Sequence, residues 1–324
     1  MNRTQNTFRL AAIFVFLLVT SAVLALVDKS RSGDTVEDPT LRLFATLAVE
    51  DITRLSIQEP GNLVTEMLLE NDRWIMQDEA RTGADRSAVR NALQALCDMA
   101  QGHIVSQSGT DPDHYGVDEV SGVQVTLWGS DGAVLVHLIV GKVVDGASFV
   151  LAPADATVRR VPANLRRLLE RGGIQGWRDR TVLQEGDPAD VIKIDIAGAH
   201  GALSFRRDAA DASAWQLTTP ADQAGPAVAF RIEHMAQFMT QLQAESLYLG
   251  NLQPVDMGLE PVDYAIRAER RDGRVTEVEM GSRKILNGAR PLRRRGDSKI
   301  WLIPGYEAEA FMLRPAEYRD PGDN

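Results

Sequence analysis

Short stretches of the chain alternate apolar and polar residues with a period of two. Val123, Val125 and Leu127 are separated by Gln124 and Thr126; Ile192, Ile194 and Ile196 by Lys193 and Asp195; Leu203 and Phe205 flank Ser204. That is the pattern of strands with one face buried. Val134, Val136, Leu138 and Val140 continue it past an Asp131-Gly132 turn and end at Gly141, whose later counterpart is Gly281. Trp74 with Met76, and Trp215 with Leu217, mark one further strand each. Two more short strands end at Pro162 and at Pro304, and a short helix follows each. Elsewhere the period changes to that of a helix. Val89, Ala92, Leu93, Leu96 and Ala100 recur at steps of three and four, with Asp85 or Ser87 placed to cap the start. Met235, Phe238, Met239 and Leu242 fill the places of Leu93, Leu96, Cys97 and Ala100. Strands joined by turns this tight are antiparallel.

The pattern is written twice, at an offset of about 140 residues. Asp51-Ile52-Thr53-Arg54-Leu55-Ser56-Ile57 returns as Asp190-Val191-Ile192-Lys193-Ile194-Asp195-Ile196, and Tyr115-Gly116-Val117 as Met257-Gly258-Leu259. Glycine at that loop position predicts a positive φ. Asp131-Gly132 returns as Asp272-Gly273, Val161-Pro162 as Ile303-Pro304, and Trp177-Arg178-Asp179 as Tyr318-Arg319-Asp320. The expected fold class is α+β: an N-terminal transmembrane helix, then two tandem repeats of an antiparallel sheet with one main helix packed on it. The repeats span 41–180 and 181–320, with about six or seven strands each, and a tail at 321–324. What recurs is Trp, Gly, Pro, strand hydrophobics and turn Asp-Gly pairs, which serve packing and backbone geometry. The aromatic-Arg-Asp triplet is the polar exception. It reads as an Arg–Asp pair closing a module edge, or as a partner-docking surface.

The segment 10–27 is apolar and uncharged, and as a helix it would span about 27 Å, close to a bilayer's hydrocarbon thickness. It reads as a single-pass anchor with residues 1–9 as a cytoplasmic tail, 28–40 as a polar linker and the bulk in the periplasm. A cleaved signal peptide and a buried soluble helix are the competing readings; the first lacks a clean small-residue cleavage site and the second a polar face.

Net charge of −10 disfavours phosphate backbones, so no nucleic-acid partner is expected. The basic run of Arg290, Arg293, Arg294 and Arg295 matches Ser148-Phe149-Val150-Leu151 in the first repeat and reads as a solvated strand face. The single cysteine, Cys97, excludes an intramolecular disulfide and reads as a small core hydrophobe. His103, His114, His137, His200 and His234 show no metal-ligand spacing. Asp111, Asp113, Asp118 and Glu119 crowd one loop in which a calcium ion could sit, but the spacing favours a solvated loop. Gly198 to Gly201 belongs to a hairpin, and Gly141-Lys142 lacks the upstream glycine of a phosphate loop. No catalytic, cofactor-binding or metal-ligating residue emerges.

The order of the anchor, Asp51-Ile52-Thr53-Arg54-Leu55, the Trp74 strand, Tyr115-Gly116-Val117 and Trp177-Arg178-Asp179-Arg180-Thr181-Val182-Leu183 resembles the domain-of-unknown-function 4340 family. The likeness runs from about Leu41 to Asp320; the first repeat departs from it in lacking a proline after Gly116, where the second has Pro261. The resemblance implies an envelope protein of the bacterial inner membrane associated with gliding-motility-type ABC transporters, and supplies no catalytic residues. The function expected is that of a non-enzymatic accessory protein touching membrane lipid through residues 10–27 and transporter subunits through its sheets. An envelope scaffold or ligand-binding module, or a hydrolase whose site is assembled from distant residues, are the alternatives.

Overall fold

The computed structural model describes residues 47–99, 102–107, 111–154 and 156–320. The tail, anchor and linker assigned to 1–40, the tail at 321–324 and the helix position Ala100 lie outside them. Among the described residues, no helix is long and apolar enough to cross a membrane.

Antiparallel sheet dominates. The first sheet is built from β1 (Arg54–Gln58), β2 (Thr65–Glu70), β3 (Arg73–Met76), β4 (His103–Ser106), β5 (Val123–Trp128), β6 (Val134–Val144), β7 (Ala147–Ala152) and β8 (Thr157–Val161), in the order β3-β2-β1-β5-β6-β7-β8-β4. After β9 (Thr181–Gln184), the second sheet uses β10 (Val191–Gly198), β11 (Gly201–Arg207), β12 (Trp215–Thr219) and β13 (Gly225–Ala227). β14 (Gln241–Gln243) pairs with β9 as a separate ribbon. β15 (Ser246–Leu247), β16 (Tyr264–Arg270), β17 (Val275–Met280), β18 (Arg290–Arg294) and β19 (Trp301–Ile303) complete the second sheet, ordered β13-β12-β11-β10-β16-β17-β18-β19-β15. Leaving β13 aside, the two orders correspond strand for strand. A twelve-residue helix follows the third strand of each set: α1 (Arg86–Cys97) and α2 (Ala229–Thr240). The described residues divide into two compact units at Gly61/Asn62, Val89/Arg90 and Glu170/Arg171, so the β2–β3 hairpin and the start of α1 group with the C-terminal stretch.

The register explains the alternation. Ile57 and Leu55 of β1 lie opposite Val125 and Leu127 of β5, which in turn face Leu138 and Val136 of β6. All six are buried, and they form one apolar band across three strands. Burying a side chain of this size stabilises by roughly 1.5–3 kcal/mol. In the second sheet Ile194, Phe205 and Leu217 form the same kind of row, with Ile196, Ile266 and Val278 beside it. One hydrophobic cluster joins these rows to Ile232, Met235, Ala236 and Met239 of α2. In α1 the buried face is Val89, Ala92, Leu93 and Leu96. The cap of α1 is Asp85, whose Oδ1 accepts the Ser87 and Ala88 N–H groups.

Three local expectations change. Ile192 is only half-buried and Val191 takes the inward place, because a bulge between Val191 and Lys193 shifts the alternation by one residue. β6 does not stop at Gly141 but runs on to Val144, with its pairing to β7 interrupted between Val140 and Val143. Leu242 is buried but not helical: α2 ends at Thr240, whose hydroxyl donates to the Ala236 and Gln237 carbonyls, and Leu242 pairs with Leu183 of β9.

The loop glycines take the predicted backbone, with φ of 64° at Gly116 and 76° at Gly258. Each ends a short helical turn, Pro112–Tyr115 and Pro254–Met257. Gly141 and Gly281 have a different reason to be glycine. A β-carbon on Gly141 would overlap the Tyr115 carbonyl oxygen, and one on Gly281 the Met257 carbonyl oxygen. In both sheets the loop backbone rests directly on the strand.

Candidate functional site

The recurring aromatic-Arg-Asp triplet works through its backbone. In the first instance the Asp85 N–H donates to the Trp177 carbonyl and the Asp179 N–H to the Gly83 carbonyl, around an Ala84–Arg178 bridge. In the second, the Val228 N–H donates to the Tyr318 carbonyl and the Asp320 N–H to the Pro226 carbonyl, around an Ala227–Arg319 bridge. Each triplet therefore adds a rung beside the third strand just ahead of the helix, and plugs a fully buried aromatic, Trp177 or Tyr318, beneath it. These rungs align Asp85 with Val228, which places Leu96 opposite Met239 and Cys97 opposite Thr240. Cys97 is half-buried, one step off the fully buried stripe. Burial, with Asp98, Glu50 and Asp51 nearby, pushes its thiol up to about 11, which disfavours thiolate chemistry at neutral pH.

The triplet side chains diverge. Arg178 does not pair with Asp179. Its guanidinium is wholly buried and donates to the Asp78 carboxylate and the Thr82 hydroxyl. Arg319 is exposed. The expected Arg–Asp pair is thus a buried ion pair with a residue 100 positions upstream, visible only in three dimensions. A second such cluster holds α2 to its sheet. Arg207 donates to both Glu233 oxygens at 2.6 and 3.1 Å, stacks over Trp215 at 4.5 Å, and shares Glu233 Oε1 with the Trp215 indole N–H at 2.9 Å.

The outward face of β10, β11, β16 and β17 forms an open groove of about 630 Å³. Lys193 Nζ and Ser204 Oγ donate to Asp195 at 2.8 and 2.7 Å, and Arg267 lies 3.5 Å from both Asp195 and Glu277. The basic run closes this network: Arg293 meets Glu279 at 2.7 Å, Arg294 meets Glu185 at 2.7 Å and Arg295 meets Glu277 at 2.6 Å. β18 carries Arg290, Arg293 and Arg294 of the basic run, Arg295 follows in the turn, and Arg293, Arg294 and Arg295 each meet a carboxylate. Burial pushes the Asp195 carboxyl up, but the Lys193 and Ser204 hydrogen bonds and the Lys193 and Arg267 charges outweigh it and hold the group below the usual carboxylate range. A depressed folded-state value contributes stability that is present above the unfolded pKa of about 3.9 and is lost as pH falls through the folded one. Asp195→Asn is therefore expected to remove part of the stability lost on acidification below pH about 4. Urea unfolding from pH 5 to pH 2.5 checks this, and an acid limb identical to wild type would count against it.

The histidines lie apart from one another along the chain. His103, His114 and His200 are exposed. His137 Nδ1 lies 3.0 Å from Thr126 Oγ1 on the exposed side of the β5–β6 pair, a cross-strand contact that pattern reading missed and register supplies. His234 Nε2 lies 3.1 Å from Glu307 beside a cleft whose lining includes no serine, threonine or cysteine. Among the described residues no group of three His, Cys, Asp or Glu side chains is placed to hold a metal ion. In the acidic loop, Asp118 Oδ1 accepts the Val120 and Ser121 N–H groups and so serves the turn itself.

Neither a curated protein nor a solved structure matches the chain. The family model described as "Domain of unknown function (DUF4340)" matches residues 74–260, more than half of the 324 residues, from the Trp74 strand through the loop that carries Gly258. The chain belongs to the DUF4340 family.

Proposed function

We propose that this chain is a membrane-anchored periplasmic accessory protein, non-enzymatic, that presents two sister modules to the subunits of an ABC-type transporter complex. In this reading residues 10–27 are the anchor, and 41–180 and 181–320 are tandem copies of one antiparallel sheet with one main helix. The observation that carries the reading is the correspondence between the two sheets: eight strands in one order, a helix after the third, a triplet rung ahead of that helix and a glycine under the loop. The features held in common maintain shape, as a presenting surface requires. Partners would be told apart by surface side chains that the two copies do not share. The apolar run of the sequence supplies the anchor and the family resemblance supplies the transporter. Crosslinking the intact protein in its native membrane, followed by solubilisation and affinity recovery, is expected to bring down transporter permease or ATPase subunits. Recovery of the protein with no transporter subunit would overturn the assignment.

A further inference from the structure

The cleft between the start of α2 and the short helix Gly305–Glu309 has a composition that folding does not require. Its volume is about 510 Å³, within the range of small-molecule sites. Two aromatic side chains flank it, Phe230 and Tyr306, each 71% exposed, and Ala310 and Leu313 line it as half-buried apolar groups. Exposed apolar groups scattered singly are ordinary, but these gather around one concavity, which is the mark of a binding groove.

The charges around the cleft are unevenly matched. Glu307 is engaged by His234 at 3.1 Å, and Glu309 lies 3.9 Å from Lys284. Arg231 lines the cleft, and among the described residues it has no carboxylate partner; its contact is the Phe230 ring at 5.5 Å. Its buried Nε has no acceptor among the described residues. The first repeat shows what the position needs for folding. Through the rung that aligns Asp85 with Val228, Arg231 corresponds to Ala88, a buried alanine in the first turn of α1. A guanidinium without an acid, beside two open aromatics, stands where the sister module manages with a methyl group.

We propose that this cleft binds a small amphipathic carboxylate: an aromatic or branched aliphatic body lying between Phe230 and Tyr306, with its carboxylate on the Arg231 guanidinium. A planar fork of donors suits a carboxylate, and the walls suit the body. The inference is independent of the transporter assignment, since it concerns a ligand of one cleft.

The test uses the full-length chain in detergent, with methyl-labelled alanine and leucine, titrated with N-acetyl-L-phenylalanine and separately with its uncharged amide. The expected result is saturable shifts of the Ala310 and Leu313 methyls with the acid, and binding of the amide weaker by about tenfold, the size of a charge-assisted hydrogen bond. Arg231→Gln should remove the preference for the acid while leaving the wild-type unfolding midpoint in place. Phe230→Ala should weaken acid and amide alike. Equal binding of acid and amide, a preference that survives Arg231→Gln, shifts confined to other methyls, or no shift at all would each overturn the proposal.

Discussion

Asp78→Ala is expected to destabilise the protein by about 3–5 kcal/mol, an effect out of proportion to the size of the group removed. The Arg178 side chain has no solvent exposure, and Asp78 is itself 17% exposed. Among the described residues the guanidinium rests on two acceptors, the Asp78 carboxylate and the Thr82 hydroxyl, while its Nε has none. Removing the carboxylate leaves a cation shielded from solvent, pinned there because its backbone forms the bridge to Ala84. Two further variants separate this cause from loss of packing. Replacing both partners, Arg178→Met with Asp78→Leu, should recover most of the loss, since an apolar pair of similar volume needs no solvation. Arg319→Ala, at the matching exposed position, should stay within about 0.5 kcal/mol of wild type. Urea unfolding followed by tryptophan fluorescence reads all three. A loss below about 1 kcal/mol in Asp78→Ala would mean that water reaches the guanidinium.

Much of this architecture could be read along the chain because its signals are local. Val123, Val125 and Leu127 alternate, and all three are buried in one face. Gly116 and Gly258 stand at loop positions that demand a left-handed backbone, and both adopt it. What escaped reading depends on geometry that period cannot carry. A bulge at Val191 costs one residue of phase, so Ile192 looks inward in the pattern and sits half-buried in the sheet. The two helices look superimposable at either of two offsets, since Leu96-Cys97 and Phe238-Met239 are all apolar; only the backbone rungs at Asp85 and Val228 decide between them. The polar partners of Arg178 were out of reach because Asp78 and Thr82 lie about a hundred residues away and carry no spacing signature. The groove network of Asp195, Arg267 and Glu277 was hidden for the same reason: each charge alone is an ordinary outward strand residue, and cross-strand register makes them neighbours, with Arg295 joining from the turn after β18.

Gly281→Ala is expected to cost about 3 kcal/mol, at the upper end for overpacking, because the obstruction is backbone. The added methyl would meet the Met257 carbonyl, which belongs to the turn that ends at Gly258, and would lie 2.9 Å from Pro291 Cγ on the neighbouring strand. A flexible side chain could swing aside, but this carbonyl cannot move alone. Met257 is fully buried, the Leu259 N–H is held by the Pro254 carbonyl and the Gly281 N–H by the Pro291 carbonyl, so displacement would break several contacts at once. Gly141→Ala should behave the same way against the Tyr115 carbonyl. Gly273→Ala is the control. Its φ is +82° with open space around it, so the cost is that of a left-handed alanine alone, about 1–2 kcal/mol. The expected order of denaturation midpoints is wild type, then Gly273→Ala, then Gly281→Ala. The reverse order would mean that the loop yields to a methyl group. The loops would then not be fixed to their strands, and the reading of both modules as rigid presenting surfaces would lose its physical basis.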